Sequence, residues 1–301
     1  MSQKSLHKGI ACMIFSAFGF AVMNLFVRLS GDLPTLEKAF FRNLIAFFVA
    51  AVILYKDGGK IRIGRSNYFS MAVRCIAGTI GIWCNFYAVD TIDLADASIL
   101  NKLSPFFVLL FSYFILKEKF TAFQGGCIVL AFLGALFVIK PGFGSVGMGT
   151  WIGALGGLCA GLAYTYVRKL GENGVQGAVI VALFSGVSCL ASVPYMLFHF
   201  QTPTVMQLIF LLGAGAAAAC GQFGITAAYT HCPAREVSIY DYTQLIFSTI
   251  LGYFVLSELP DRWSFIGYMV IVAASVILFL YNNGKIGRRD TGRLSGTEEG
   301  A

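Results

Sequence analysis

Long apolar segments recur along the whole chain, and few charged residues interrupt them. Residues 106–116 and 269–280 are almost unbroken apolar runs that only a serine or a tyrosine interrupts. Of the 301 residues, 57% are hydrophobic and 12% are charged, whereas a soluble domain carries about 25% charged residues. A soluble globule of this length would lack a polar shell large enough to cover so much apolar surface. The solvent for these side chains is therefore predicted to be lipid.

Helices are the only regular structure that fits these runs. Within lipid the backbone must satisfy its own hydrogen bonds, as helices or as a closed barrel, and the runs lack the alternating pattern of barrel strands. A spanning helix needs about 20 mostly apolar residues. The sequence thus predicts an all-α integral membrane protein with ten transmembrane helices. They cover approximately residues 9–29, 35–55, 68–89, 95–116, 121–139, 149–168, 175–198, 205–229, 235–256 and 263–282.

The distribution of positive charge predicts the orientation of the chain. Ten spans with short connections place both termini on one side of the membrane. Of the 22 Lys and Arg residues, fifteen fall on that side, three (Lys38, Lys140 and Arg262) on the other, and the rest within helices. Short cytoplasmic loops are enriched in Lys and Arg, so both termini are predicted to be cytoplasmic. The same bias accounts for the net charge of +7 without nucleic acid as a partner.

The reactive residue types show no catalytic or metal-binding arrangement. The eight cysteines lie mostly within apolar runs and lack paired spacing, which indicates small hydrophobic side chains rather than disulfides or zinc ligands. His7, His199 and His231 are scattered near helix ends or loops. No Ser/His/Asp or metal-ligand pattern accompanies them. The chain is therefore predicted not to be an enzyme and to need no metal or other cofactor.

An internal repeat divides the chain into two halves. With an offset of 140 residues, Arg28 falls on Arg168, Ser98 on Ser238 and Glu118 on Glu258. The repeats are predicted at 8–140 and 148–282, followed by a polar cytoplasmic tail at 283–301. Each half has five helices, so the second half must enter the membrane inverted. Inverted repeats are characteristic of alternating-access transporters; a duplicated domain with a scaffold or receptor role is the alternative.

Both halves also carry the same loose motif. It lies at residues 95–105 and 114–118 in the first half and at residues 237–243, 252–260 and 267 in the second, and Phe40, Phe41 and Arg42 add to it. The doubled pattern resembles the EamA-type branch of the drug/metabolite transporter superfamily over about residues 8–282. This resemblance implies ten helices, a central cavity between the halves and transport without ATP. No Walker-type phosphate-binding motif occurs in the sequence.

These features together predict a secondary transporter of a small polar metabolite in the plasma membrane, working by alternating access. An amino acid or amino-acid derivative is the expected substrate, and a nucleoside- or sulfonium-type metabolite such as S-adenosylmethionine is the alternative that the resemblance suggests. A channel or a non-transporting scaffold is the alternative of another class. Coupling to protons, exchange and assembly into a homodimer stay open, and the lipid bilayer is the only other expected partner.

Two ionisable residues in the predicted membrane core are the main candidates for substrate binding. A charge at the centre of a spanning helix costs about 2.5–3.5 kcal/mol on insertion scales. Lys102 lies about 12 Å deep in the fourth helix and Asp241 about 9 Å deep in the ninth, from opposite faces. Lys102 could hold a carboxylate or phosphate, and Asp241 an ammonium group, a sulfonium group or a proton. Alternatively, the two neutralise each other or extend to the membrane surface.

Other side chains form a second group of candidates. Tyr240 and Tyr242 flank Asp241 and would favour a bound cation, or else only pack the helix. Arg42, about 12 Å deep, contacts substrate or stabilises the bundle, whereas Arg74 is expected to reach the cytoplasmic surface. Polar residues that line a pathway or join helices by hydrogen bonds are Asn24, Trp83, Asn85, Asn101, Tyr164, Gln222 and Gln244. Glu118 and Glu258 are candidate gates or structural ties, with solvated helix ends as the alternative, and Pro105 predicts a kink.

Overall fold

The computed structural model describes residues 3–56, 58, 63–117, 121–139, 147–231 and 238–282. These ranges are predominantly helical and contain no strand. The α-helices are α1 (Gln3–Leu29), α2 (Thr35–Lys56), α3 (Tyr68–Thr91), α4 (Leu94–Asn101), α5 (Ser104–Ile115), α6 (Ala122–Ile139), α7 (Met148–Glu172), α8 (Gly177–His199), α9 (Val205–His231), α10 (Thr243–Leu251) and α11 (Arg262–Asn282). Arg65–Asn67 and Ser238–Tyr242 are 3-10 turns, and Gly252–Leu256 is a π-helical turn.

Eight segments of the described chain are long and apolar enough to cross a membrane. They correspond to eight of the ten predicted spans, so the chain is a multi-pass membrane protein. The predicted sixth and ninth helices are not among them. The sixth, α7, is rich in glycine and ends in charged residues, and the ninth is divided into a 3-10 turn, α10 and a π-helical turn. The count of ten spans and the orientation of the termini stay predictions.

Helix contacts follow the predicted repeat. The helix α1 packs along α9, and α3 packs along α7; α2 packs along α8, and α6 along α11. In the repeat, α1, α2, α3 and α6 correspond to α7, α8, α9 and α11. The α1–α9 contact is therefore equivalent to the α3–α7 contact, whereas the α2–α8 and α6–α11 contacts are each equivalent to themselves. This is the arrangement expected for two equivalent halves around a pseudo-two-fold axis.

The fourth span is broken near the middle of the bundle. The helix α4 ends at Asn101, α5 begins at Ser104, and Pro105 lies in the first turn of α5. Proline has no N–H and cannot continue the hydrogen-bond ladder of the preceding helix. The break leaves the carbonyl of Lys102 free, and the Tyr242 hydroxyl donates a hydrogen bond to it at 3.0 Å. The predicted kink is thus a discontinuity that begins two to three residues before the proline.

The ninth span is interrupted at the equivalent position. Its 3-10 turn ends at Tyr242 and α10 begins at Thr243, 140 residues after Lys102 and Leu103. The ends of the two spans also match, because Lys117 and Ser257 both have a φ of 57°. A positive φ is uncommon for residues other than glycine. The backbone of the two halves therefore repeats at the level of single residues.

Three glycines of α7 let the broken fourth span approach closely. A Cβ atom on Gly157 would lie 2.5 Å from the Leu100 carbonyl oxygen, and one on Gly161 would lie 2.4 Å from the Phe107 Cβ atom. The third, Gly153, would meet Leu100 at 3.1 Å. Small residues at this spacing let neighbouring helices pack closely, and here they admit α4 and α5 against α7.

Gly157→Ala is expected to lower the stability of the protein by about 1–3 kcal/mol, the usual cost of overpacking. The added methyl group would collide with the backbone of α4, which cannot shift as a flexible side chain can. Thermal unfolding in detergent measures the effect. Gly171→Ala is the matched control on the same helix, because its Cβ would meet nothing within 4 Å. Equal melting temperatures for the two variants would contradict this account of the α4–α7 contact.

Candidate functional site

Lys102 and Asp241 meet at the two helix breaks. The Lys102 Nζ atom lies 2.6 Å from Asp241 Oδ2, and the two residues are only 5% and 9% exposed. The sequence leaves two structural alternatives for these charges, mutual neutralisation and extension to the membrane surface. The structure shows the first, because neither side chain extends to the surface and the two charges neutralise each other. The second carboxylate oxygen, Asp241 Oδ1, is buried and has no hydrogen-bond partner. Asp241 Oδ1 can therefore accept a hydrogen bond from a further donor.

Hydrogen bonds across the two broken spans hold this pair in place. Besides the bond from Tyr242 to the Lys102 carbonyl, the hydroxyl groups of Ser98 and Ser248 lie 2.7 Å apart. Both serines are completely buried. The tyrosine contact lies at the helix breaks, whereas the two serines join α4 to α10 within regular helix.

The tyrosines beside Asp241 have separate packing positions. Tyr240 packs with Met13 and Ala228 in a small cluster between α1 and α9. Tyr242 belongs to the hydrophobic core that Leu103, Leu245 and Tyr268 share. These contacts favour the packing role for both rings over a cation-binding role.

Arg42 lies deep between α2 and α8. It is 6% exposed, and its Nη1 atom donates to Asn43 Oδ1 at 2.5 Å. Asn43 in turn donates from Nδ2 to Ser188 Oγ at 2.8 Å. The Nε atom of Arg42 is buried without a partner. The guanidinium is therefore fixed on one side and unsatisfied on another.

Arg74 does not reach the membrane surface, so the snorkelling interpretation is wrong. It is 5% exposed, and its guanidinium carbon lies 4.1 Å from the centroid of the Phe184 ring. Its Nη1 atom occupies the space beside Gly78, 2.1 Å from where a Cβ would lie. Because Gly78 is one helical turn further along α3, the side chain points towards the interior of the bundle. Gly78 is the sequence signal that could have identified Arg74.

Tyr164 on α7 connects the two arginines with the ion pair. Its hydroxyl interacts electrostatically with Arg74, Asp241 and Arg42. The residue is 38% exposed although all three charged neighbours are buried. Its side chain is therefore partly accessible beside a buried group of charges. We call Arg42, Arg74, Lys102, Tyr164 and Asp241 the central cluster.

The other predicted polar residues lie in different surroundings. Asn85 Nδ2 donates to Asn24 Oδ1 at 3.4 Å, which joins α3 to α1. Trp83 buries its Nε1 atom without a hydrogen-bond partner. Gln244 is 4% exposed and follows Asp241 by one turn, while Asn101 and Gln222 are half-buried. Asn101 is adjacent to the ion pair in sequence.

A second group of charged residues joins the helix connections at one end of the bundle. Arg28 Nη2 lies 2.5 Å from Glu258 Oε1, and the Leu94 N–H donates to Glu258 Oε2 at 2.9 Å. Arg28 Nη1 also donates to the backbone carbonyls of Val89 and Ile92. We call this contact the Arg28 gate. Glu258 is thus a tie between the halves and not a solvated helix end, whereas its repeat equivalent Glu118 lies outside the described residues.

The end of the bundle at the Arg28 gate is held by further polar contacts. Lys38 Nζ lies 2.7 Å from Asp90 Oδ1. Tyr268 donates to Asp96 Oδ1 at 2.5 Å, and Gln207 Nε2 donates to the Ser30 carbonyl at 3.1 Å. This end is therefore closed in the structure by contacts that join several helices.

Comparisons with known proteins agree with this architecture. The chain is 32% identical over 276 residues to the pseudopaline exporter CntI of Pseudomonas aeruginosa, covering 91% of this chain and 96% of that protein. It is 23% identical over 288 residues to an S-adenosylmethionine uptake transporter of Rickettsia bellii, covering 94% and 96%. A solved crystal structure matches with a TM-score of 0.61 at 17% identity, covering 90% of this chain and 98% of that chain, which supports the fold alone.

The family assignment rests on both halves of the chain. The model of the EamA-like transporter family matches twice, at residues 7–140 and 147–280. These ranges agree with the repeat inferred from the 140-residue offset. The chain therefore belongs to the EamA-like transporter family of the drug/metabolite transporter superfamily.

Proposed function

We propose that this protein is a secondary transporter that moves an amino acid or amino-acid derivative across the plasma membrane by alternating access. Family membership and the transporter relatives indicate a carrier of small metabolites. The central cluster supports the narrower substrate class, because it combines buried guanidinium groups with a carboxylate oxygen that lacks a partner. Cationic donors suit a substrate carboxylate, and Asp241 Oδ1 suits an ammonium group or a proton.

The charge of the central cluster favours this substrate class over a sulfonium metabolite. Lys102 is neutralised by Asp241, so Arg42 and Arg74 leave an excess of positive charge. S-adenosylmethionine carries a sulfonium and an ammonium group against one carboxylate, and its net positive charge would be repelled at close range in a low-dielectric interior. The compound that this relative takes up is therefore not the substrate class that we propose for this protein.

The internal repeat suggests how the protein alternates between its two open conformations. The Arg28 gate closes the end that is predicted to face outwards, so the structure corresponds to an inward-facing or occluded conformation. The 140-residue offset pairs Arg28 with Arg168 and Glu258 with Glu118. In the opposite conformation, Arg168 and Glu118 would form the equivalent gate at the cytoplasmic end. Exchange of the two gates would expose the central cluster to each side in turn.

Counterflow in proteoliposomes tests this function. Vesicles that contain the purified protein and an unlabelled amino acid or derivative are expected to take up the labelled compound faster than empty vesicles, with saturation. This acceleration is expected because a loaded carrier returns more readily than an empty one. A second series with an imposed pH gradient measures proton coupling. Flux that rises linearly without acceleration would indicate a channel, and absence of flux for the whole metabolite panel would indicate a scaffold.

A further inference from the structure

We infer that the substrate carries two carboxylates, which Arg42 and Arg74 bind in the central cluster. This inference rests on the proposed transport function and defines its substrate more narrowly. It also moves the anion-binding role from Lys102, where sequence analysis places it, to the two arginines.

Both arginines lack a counter-charge among the described residues. In the described part of the chain, the buried lysines Lys38 and Lys102 each have a carboxylate within 2.7 Å. Arg42 and Arg74 are similarly buried, but no carboxylate of the described residues pairs with either. A buried charge is costly unless it is paired and hydrogen-bonded. Two such groups in one cluster therefore indicate that an anion from outside the chain completes them.

Each guanidinium is held in a way that leaves N–H donors unused. Phe184 covers Arg74, and Gly78 leaves room for its Nη1 atom. A cation–π contact occupies a face of the guanidinium and leaves the N–H groups at its edge for acceptors in the plane, which is the geometry of carboxylate recognition. Arg42 uses Nη1 for Asn43 and keeps an unpartnered Nε atom. Each arginine thus has a fixed position and unused donors.

The central cluster carries an excess of positive charge beside a partly exposed tyrosine. Asp241 neutralises Lys102, so the excess of two positive charges resides on Arg42 and Arg74. Tyr164 interacts electrostatically with both arginines and is partly exposed, so we expect a ligand to approach the arginines along this side chain. A dicarboxylate balances the two charges. One carboxylate for each guanidinium also agrees with the separate anchoring of the arginines on α2 and α3.

Matched compounds that differ by one carboxylate test the inference. Melting temperatures of the purified protein are measured against glutamate and glutamine, and against N-succinyl-alanine and N-butanoyl-alanine. O-phosphoserine distinguishes a phosphate dianion from two carboxylates. The first member of each pair is expected to stabilise the wild type in a concentration-dependent manner, because binding to the native state raises its apparent stability. The second member is expected to have little effect.

The variants are Arg42→Met, Arg74→Met and Arg74→Lys, with exposed Arg65→Met as the control. Loss of either guanidinium is expected to weaken dicarboxylate binding about 10- to 150-fold, the range for a charge-assisted hydrogen bond. Arg74→Lys is expected to restore only part of the affinity, since a lysine lacks the planar fork. Without ligand, Arg74→Met is expected to melt at the wild-type temperature or above it, because an unpaired buried charge is removed.

Three results of the ligand panel would overturn the inference. They are stabilisation by the monocarboxylates to the same extent, stabilisation by O-phosphoserine alone, and the absence of any effect of the dicarboxylates. A lower melting temperature of Arg74→Met with unchanged ligand affinity would assign a structural role to this arginine. Counterflow of a monocarboxylate amino acid would overturn the dicarboxylate inference and leave the transport function intact, whereas absence of all counterflow would overturn the transport function itself.

Discussion

Asp241→Asn alone is expected to destabilise the protein by about 3–5 kcal/mol, because it leaves Lys102 as an uncompensated buried charge. The two atoms that form the pair lie 2.6 Å apart, and both side chains are largely shielded from solvent. Transport is expected to be lost as well. Thermal unfolding in detergent and counterflow in proteoliposomes measure the two effects separately.

The double variant Lys102→Met/Asp241→Asn separates stability from function. Removal of both charges is expected to recover most of the lost stability, because replacement of a buried ion pair by neutral side chains is often neutral or stabilising. Transport is expected to stay absent if Asp241 Oδ1 contacts the substrate or a proton. Recovery of both stability and transport would show that the pair is only a structural tie. Glu172→Gln, which removes one partner of an exposed ion pair with Arg168, is the stability control, with an expected effect below about 1 kcal/mol.

Glu258→Gln is expected to shift the protein towards a conformation that is open at the Arg28 gate. The carboxylate accepts hydrogen bonds from Arg28 and from the Leu94 N–H. Loss of a charge-assisted hydrogen bond costs about 1.5–3 kcal/mol, which corresponds to a population shift of about 10- to 150-fold. Labelling of a cysteine at Ser98 by a membrane-impermeant maleimide measures this shift in a background without native cysteines. Ser98 is 0% exposed in the structure, so faster labelling is expected in the variant.

The equivalent change in the other half provides a symmetric comparison. Glu118→Gln is expected to slow labelling of the same cysteine from the outside, because the proposed cytoplasmic gate would no longer stabilise the outward-open conformation. Arg65→Met, at an exposed position outside both gates, should leave the rate unchanged. Labelling changes in the same direction for Glu118→Gln and Glu258→Gln would contradict the exchange of gates between the two halves.

Sequence alone was sufficient for the features that depend on local interactions. Helices such as α2, α6 and α8 were predicted with boundaries within a few residues, because an apolar segment in lipid must satisfy its backbone hydrogen bonds internally. The break in the fourth span was indicated by Pro105, whose missing N–H is a property of the residue itself. The 140-residue offset indicated the repeat, since equivalent positions such as Lys117 and Ser257 have the same backbone conformation.

Only the tertiary structure decided which buried charges have partners. Sequence analysis estimates the depth of a side chain along its own helix from the rise per residue, but not the direction in which it points. For this reason Lys102 and Asp241, 139 positions apart in sequence, remained either a substrate site or an ion pair, and Arg74 was expected at the membrane surface. Packing of α3 against α8 and of the two broken spans against each other brings these groups to their neighbours. Contacts between distant helices determine the electrostatics of the central cluster, and no local pattern contains them.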